Sequence, residues 1–168
     1  MRSPMMWRSP WEASSRILIE ADALTLLDQF RQCGINTPEA GGILLGYRRD
    51  PHLHVVAATT PQPGDHRSRF HFHRADPKHQ RVATNRWHAS DMTVDYLGEW
   101  HTHPEEYPSP SVLDYSEWRK ICARRSHPML FIILGWSGQM WLGVSHGGSI
   151  VRSLQVAPET LRGAQAKS

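Results

Sequence analysis

The sequence predicts an α/β protein of the α+β kind, in which two to three helices flank a central, mixed and mostly antiparallel sheet. Short apolar runs bounded by glycine, proline and aspartate recur along the chain and have the length of strands. Between them, longer segments carry apolar residues at helical spacing. A chain of 168 residues can bury one core, so we expect a single domain over residues 1–168 with loosely ordered ends at 1–15 and 158–168.

The first half of the chain alternates between strand and helix patterns. A short strand at residues 16–19 precedes a helical pattern that ends at Gly34, a residue typical of helix ends. The segment GGILLGY (41–47) predicts a buried strand, and LHVVAAT (53–59) predicts its antiparallel partner. The segment RFHFHR (69–74) alternates as a half-buried strand does.

The second half predicts two helices and four strands. Asp76 and Pro77 are typical of a helix start, with aspartate as the cap and proline at the first helical position. A strand at 96–102 runs into a histidine pair, and a long helix follows at 111–125. The segments MLFIILGW and QMWLGVS predict a hairpin across a Ser-Gly turn, followed by a last strand at 149–156.

Composition narrows the class of function. A net charge of +3 with scattered arginines is too weakly basic for a dense nucleic-acid-binding stripe, so nucleic acid is not an expected partner. No apolar run is long enough for a membrane span, and the N-terminus lacks the apolar core of a secretory signal. Cys33 and Cys122 are expected to be buried free thiols in a reducing, cytoplasmic compartment. Trp118, Trp136 and Trp141 are expected in the core.

The stretch EWHTHPEEYPSPSVLDYSEW (99–118) carries the residue types of a metal site. His101 and His103 are two apart on a predicted strand, so both imidazoles point to one side. Pro104 ends the strand. Ser111 and Asp114 have the spacing of a helix start, with the serine near the N-cap. Two histidines, the aspartate and a water would complete a catalytic zinc site, with one position open to chemistry.

A general base is also needed, and the spacing of the residues leaves several candidates open. They are Glu39, Glu99, Glu105 and Glu106. Strand periodicity slightly favours Glu99, because it lies on the same strand face as both histidines. Glu105 and Glu106 are more simply explained as exposed loop charges.

The combined motifs resemble those of the JAMM (MPN-plus, JAB) metalloproteases. The resemblance rests on H-T-H-P, six residues and then S-x-x-D, together with the upstream stretch PEAGGILLGY, and it covers roughly residues 17–154. It implies the JAMM/MPN fold, which is cytidine-deaminase-like, and a Zn²⁺ ion held by His101, His103 and Asp114. It also implies that Glu39 transfers protons as the catalytic acid and base, and that Ser111 donates to the oxyanion. Glu99 then becomes a supporting or substrate-facing carboxylate.

The residues around these motifs look most like those of a bacterial branch of that family. Members of the branch are encoded in anti-phage operons with a CD-NTase, a synthase of cyclic oligonucleotides. The resemblance implies an isopeptidase or peptidase that removes a CD-NTase or ubiquitin-like partner, held by its extended C-terminal tail, from a target.

The alternative function is a non-catalytic MPN-type or RadC-like binding module. RadC-like relatives carry H-x-H-P-x-G, and this chain lacks that glycine after Pro104. A second metal site at His71 and His73 is also conceivable. No acidic or cysteine partner follows them at ligand spacing, so we expect an exposed or half-buried strand face there.

Overall fold

The computed structural model describes residues 2–156. Within that range, nine strands form one mixed sheet in the order β10-β9-β8-β7-β3-β4-β2-β1-β11, and two further strands, β5 and β6, form a separate hairpin. The strands of the first half are β1 (Met5–Arg8), β2 (Arg16–Ile19), β3 (Gly41–Arg49), β4 (His52–Ala58), β5 (His66–Ser68) and β6 (His71–His73). Those of the second half are β7 (Val94–Thr102), β8 (Leu130–Leu134), β9 (Met140–His146), β10 (Ser149–Arg152) and β11 (Leu154–Gln155).

Three helices of the described range cover the sheet: α1 (Ala21–Asp28), α2 (Lys78–Ala89) and α3 (Val112–Ala123). Strand periodicity sends alternate side chains of β3 to opposite faces. Leu44 therefore joins the cluster that contains Leu24 of α1, whereas Ile43 packs in the cluster beside α2. Trp118 of α3 packs on the same side as α2, stacked between Phe131 and Trp141.

The predicted fold class is confirmed. Strands β3 and β4 are antiparallel neighbours, and so are β8 and β9. Strand β7 carries His101 and ends one residue before His103. It is antiparallel to its neighbour β3 and parallel to its other neighbour β8. The strand of residues 69–74 is shorter than expected, and its two histidines His71 and His73 are exposed, as a strand face without ligand function would be.

Part of the expected N-terminal arm is instead a strand. Residues 1–15 were expected to be loosely held, but β1 pairs with β2 and with β11. Trp7 is 4 % exposed and belongs to the main core. Flanking polar and proline residues obscured a four-residue strand in which three residues are apolar. The other expected loose end, 158–168, lies outside the described residues.

Three smaller expectations were wrong. Helix α1 ends at Asp28 rather than at Gly34, because the chain beyond it is held by long-range bonds: the buried Arg31 donates to the carbonyls of Gly135 and Gln139. Cys33 is exposed, although Cys122 is buried as expected. Trp136 is 45 % exposed, because it lies in the turn between β8 and β9, whereas Trp118 and Trp141 are in the core.

In the described part of the chain, none of the helices combines the length and the apolar character that a bilayer crossing needs.

Candidate metal centre

The pairing of β3 with β7 explains why residues sixty positions apart meet. Gly41 lies opposite His101 in the antiparallel register. Hydrogen bonds extend the ladder by one residue, since the Thr102 N–H donates to the Ala40 carbonyl and the Ala40 N–H donates to the Thr102 hydroxyl. One residue further along, Glu39 comes opposite His103, and its Oε1 lies 4.0 Å from the His103 Nε2.

Two histidines and one aspartate converge beside this carboxylate. The two Nε2 atoms of His101 and His103 are 3.1 Å apart. The Asp114 carboxylate faces both rings, with Oδ1 3.2 Å from the His101 Nε2 and Oδ2 3.2 Å from the His103 Nε2. Both histidines are buried. The structure therefore brings together all three of the ligand residues that the sequence predicts.

The start of α3 sets the position of Asp114. The Ser111 hydroxyl accepts a hydrogen bond from the Asp114 N–H, and an Asp114 carboxylate oxygen accepts one from the Ser111 N–H. This reciprocal capping box fixes the first turn of the helix and aims the carboxylate at the histidines. The Ser111 oxygen is engaged as an acceptor, which leaves its hydroxyl hydrogen available to donate.

The three side chains fit a zinc ion by donor chemistry and by spacing. Imidazole nitrogens and a carboxylate oxygen are the donors that zinc takes in catalytic sites. With bonds of about 2.0–2.1 Å, the corners of a zinc tetrahedron lie about 3.3 Å apart. Here the two histidine Nε2 atoms are 3.1 Å apart, and each lies 3.2 Å from one of the two Asp114 carboxylate oxygens. One ligand atom from each residue lies within 4.8 Å of the others. Within residues 2–156, His101, His103 and Asp114 are the one such group of three potential ligands.

The electrostatics of the cluster favour an anionic Asp114. Burial acts to raise the pKa of this carboxyl, but hydrogen bonds from His101 and His103 outweigh burial and hold the pKa well below its usual range. Burial acts to lower the pKa of His103, and its contacts with Asp114, Glu39 and Glu105 raise it instead. The ionised Asp114 carboxylate thus supplies the negative charge that suits a divalent cation.

Glu39 is the most perturbed carboxyl of the site. It is 4 % exposed, and burial raises its pKa to about 8, even though the charge of His103 acts in the opposite direction. A cation held by the neighbouring ligands would favour the ionised form and lower that pKa. A buried carboxyl with a strongly shifted pKa beside a group of candidate metal ligands is a candidate for proton transfer.

The β5–β6 hairpin holds Glu39 from the side opposite β7. The Glu39 N–H donates to the Ser68 carbonyl at 2.7 Å, and the Arg67 Nε donates to the Glu39 carbonyl at 2.7 Å. The Phe72 backbone also acts to lower the pKa of Glu39. A side chain at Gly41 would lie 2.5 Å from the Phe72 ring, so the glycine is needed for the hairpin to approach.

Glu105 has a role that the sequence interpretation missed. One of its carboxylate oxygens lies 2.8 Å from the His103 Nδ1. Because a carboxylate accepts, Nδ1 carries the proton in the neutral ring and Nε2 is left free to bind a metal. The spacing signal was present, since Glu105 follows His103 by two residues, but the loop context favoured an ordinary exposed charge. The hairpin contacts of Arg67 and Phe72 carried no signal, because they depend on tertiary pairing.

Glu99, which spacing slightly favoured as the base, is engaged elsewhere. Its Oε1 accepts two bonds from Arg74, at 2.9 and 2.5 Å, and one from the Tyr96 hydroxyl at 3.2 Å. These contacts hold the Glu99 carboxylate at Arg74 and Tyr96. Glu39 is therefore the carboxylate that geometry favours among the four candidates.

Comparison with known proteins agrees with the motifs and the fold. Residues 26–146 match the family described as prokaryotic homologues of the JAB domain. A CD-NTase/cGAS isopeptidase of Pseudomonas aeruginosa is 40 % identical over 136 residues, which are 78 % of this chain and 86 % of that protein. One of Vibrio cholerae is 38 % identical over 132 residues, covering 79 % and 83 %, and one of Escherichia coli is 34 % identical over 130 residues, covering 77 % and 81 %.

A solved structure supports the fold alone. The solution structure of a Desulfitobacterium hafniense protein superposes with a TM-score of 0.58 at 19 % identity, over 80 % of this chain and 87 % of that one. The family match covers most of the chain and includes both the histidine pair and the aspartate. The chain belongs to the prokaryotic branch of the JAB family.

Proposed function

We propose that the protein is a zinc-dependent isopeptidase that removes a conjugated CD-NTase or ubiquitin-like partner from its target in bacterial anti-phage defence. The bond to be hydrolysed follows the C-terminal residue of that partner. The observation that carries the proposal is the buried Glu39 carboxylate, 4.0 Å from His103 in a cluster of three metal donors. The isopeptidase names of the relatives supply the reaction class.

In the proposed site, His101, His103 and Asp114 hold the metal, and Glu105 keeps the His103 ring in the binding tautomer. Zinc supplies Lewis acidity, which makes a water acidic enough to be deprotonated near neutral pH. A Glu39 carboxylate oxygen takes that proton and later delivers it to the leaving amine. Ser111 donates its hydroxyl hydrogen to the oxyanion that develops on the scissile carbonyl.

The environment of Glu39 suits both halves of that proton transfer. A group must bind a proton in one step and release it in the next, so a pKa near the working pH is favourable. Burial moves the pKa of Glu39 toward that range. The hairpin contacts on both sides of its backbone restrict its motion, and this improves the geometry of transfer.

The proposed substrate is a protein whose C-terminal tail is extended where it reaches the site, and the proposed compartment is the cytoplasm. Membrane and nucleic acid have no part in the proposal. A recessed cluster, with both histidines buried, can be reached by a single extended strand more readily than by a folded surface.

The experiment is cleavage of a CD-NTase fused at its C-terminus to a reporter protein, with and without a chelator. We expect release of the reporter by the zinc-loaded protein, loss of release after chelation, and recovery when zinc is restored. The zinc content of the purified protein tests the alternative of a non-catalytic module. A catalytic site should be nearly full, whereas less than about 0.2 zinc per chain would favour the binding module.

A further inference from the structure

A cleft of about 390 Å³ lies between α2 and α3, over the sheet strands β3 and β7. Its floor is formed by Ile43 and Tyr96, and Gln80 of α2 lies on one wall. The other wall is the face of α3 that continues from Asp114 toward the C-terminal end of that helix. The proposed reaction assigns no role to this cleft.

The cleft leads toward the three candidate metal ligands along both the helix and the strand. Lys120 and Arg124 line it on α3, about 9 and 15 Å along the helix axis from Asp114 at a rise of 1.5 Å per residue. On the strand side, the Arg74–Glu99 ion pair stands between the cleft and His101, since Glu99 precedes His101 by two residues on the same face of β7. The cleft and the candidate metal centre therefore follow one another on the same face of the sheet.

The charge of the cleft is positive. Four cationic side chains line it against a single carboxylate, that of Glu117. Lys120 is 3.1 Å from Glu117, and Arg125 lies over the Tyr96 ring at 4.7 Å. Within residues 2–156, the Arg124 side chain has no ion-pair or hydrogen-bond partner, so it can bind an anionic ligand without giving up a contact.

We propose that this cleft selects acidic residues in the extended tail of the conjugated partner. The inference rests on the proposed function and names the chemistry of its substrate. An extended chain advances about 3.3 Å per residue, so Lys120 and Arg124 lie beside tail residues about three to five positions before the scissile bond. The leaving group of an isopeptide is a lysine side chain, which does not need an extended channel. The cleft is therefore assigned to the tail of the partner.

A protein segment fits this cleft better than a nucleic acid. Ile43 and Tyr96 provide an apolar floor for side chains. Glu117 in the wall and Glu99 at the proximal end would repel a continuous row of phosphates. A peptide can place a carboxylate beside Arg124 and an uncharged residue beside Glu117.

The test uses three labelled peptides of eight residues in an alanine-serine background. They carry two aspartates, two asparagines or two lysines within the window of three to five residues before the C-terminus. Each is prepared free and also joined through its C-terminus to a lysine side chain of a quenched reporter. Binding of the free peptides is measured by anisotropy with the Glu39→Gln protein, and cleavage of the reporters is measured with the zinc-loaded wild type.

We expect the aspartate peptide to bind and to be cleaved about 10-fold better than the asparagine peptide, and the lysine peptide to be the poorest, as for complementary charges at an interface. The double variant Lys120→Glu with Arg124→Glu should lose this preference. The matched control is Arg81→Glu with Arg119→Glu, which makes the same change in net charge at two arginines of α2 and α3 that do not line the cleft. It should keep the preference.

The two binding and cleavage measurements separate this inference from the proposed function. Aspartate-selective binding without cleavage of any reporter would contradict the proposed function and support the cleft. Cleavage that ignores tail charge would support the function and overturn the cleft proposal. Equal affinity for all three peptides, or no binding by any of them up to about 1 mM, would also overturn it. So would a twelve-nucleotide oligothymidine that binds more tightly than the aspartate peptide, since the occupant would then be a nucleic acid.

Discussion

Glu105 is an exposed side chain that contacts a buried histidine of the candidate metal centre. It lies in the loop after the histidine pair, with 48 % of its side chain exposed, yet it is 2.8 Å from the His103 Nδ1. Partners of this kind orient a metal-binding imidazole and fix its tautomer. Its neighbour Glu106 makes no side-chain hydrogen bond among the described residues and is a natural control.

Glu105→Ala should therefore weaken zinc binding by about 10- to 100-fold, because His103 loses the acceptor that orients it. Competition with a chromogenic chelator measures this affinity directly. Glu106→Ala should bind zinc as the wild type does. If the two variants bind zinc equally well, the Glu105 contact has no role in holding the metal site.

Among single residues, the proposed ligands could be predicted from the sequence, but the proposed proton-transfer residue could not be predicted from spacing. His101 lies on β7, His103 lies one residue beyond its end, and Asp114 lies one turn into a capped helix, so local geometry suffices for them. Glu39 meets them only through the register of β3 against β7. Among the four carboxylates, the family resemblance alone pointed to it.

Among the elements, the β5–β6 hairpin has the clearest link to chemistry. It lies outside the main sheet, and its Arg67 and Ser68 bond both the carbonyl and the N–H of Glu39. Arg69 lies on the same hairpin but donates to the carbonyls of Gly34 and Ile35 instead. The hairpin thus positions a carboxylate without contributing a metal ligand.

We expect Arg67→Ala to lower kcat by about 10- to 100-fold, since small misplacements of a proton-transfer group are costly. Zinc content and KM should change little, because the ligands and the cleft are untouched. The matched control is Arg69→Ala, which should retain most of the activity. A loss of zinc in Arg67→Ala would mean that the hairpin supports the metal ligands instead. Steady-state kinetics and zinc content of both variants answer this.

A buried network ties α2 to the strands that carry the site. His79 is fully buried, with Nε2 2.7 Å from Asp65 and Nδ1 2.6 Å from the Thr59 hydroxyl. The Thr59 carbonyl accepts the indole N–H of Trp100, the residue before His101. The order of threonine, histidine and aspartate resembles that of a hydrolase triad, but complete burial leaves no room for a substrate.

This network predicts a pH-dependent part of the stability. Burial acts to raise the pKa of Asp65, but hydrogen bonds from Asp76, His79, Gln62 and Ala75 outweigh it and lower the pKa below its ordinary 3.8. A carboxyl with a lowered folded-state pKa stabilises the fold above its unfolded-state pKa, and this contribution is lost as the pH falls through the lowered value.

Asp65→Asn should reduce the free energy of unfolding at pH 7 by about 1–3 kcal/mol, as for a buried hydrogen-bonded charge. Urea unfolding of both proteins at a series of pH values measures this. The difference between them should shrink as the pH falls below 3.8. A difference that stays constant down to acid unfolding would mean that the Asp65 charge is not the stabilising feature.

At the scale of the whole molecule, the sheet could be predicted from the sequence better than its edges and connections. Strands β3, β4, β8 and β9 are long apolar runs between turn residues, and each lies where its pattern places it. β1 is four residues long and depends on β2 and β11 for its pairing, so no local pattern reveals it. Arg31, which ties the segment after α1 to the β8–β9 turn, is invisible to local analysis for the same reason.

The architecture separates the proposed metal ligands from the proposed proton-transfer residue. The proposed ligands come from β7, the residue directly after it and the start of α3, whereas Glu39 comes from the chain before β3 and is held by the β5–β6 hairpin. Removing the Glu39 carboxylate should therefore leave metal binding in place. This separation can be tested in one preparation.

The most direct test is to measure zinc content and reporter cleavage in the same sample of Glu39→Gln, beside His101→Ala. We expect Glu39→Gln to contain as much zinc as the wild type and to cleave the fused reporter about 100- to 10,000-fold more slowly, the range for loss of a general acid–base group. His101→Ala should lose both zinc and cleavage. Cleavage at the wild-type rate by zinc-loaded Glu39→Gln would contradict the account.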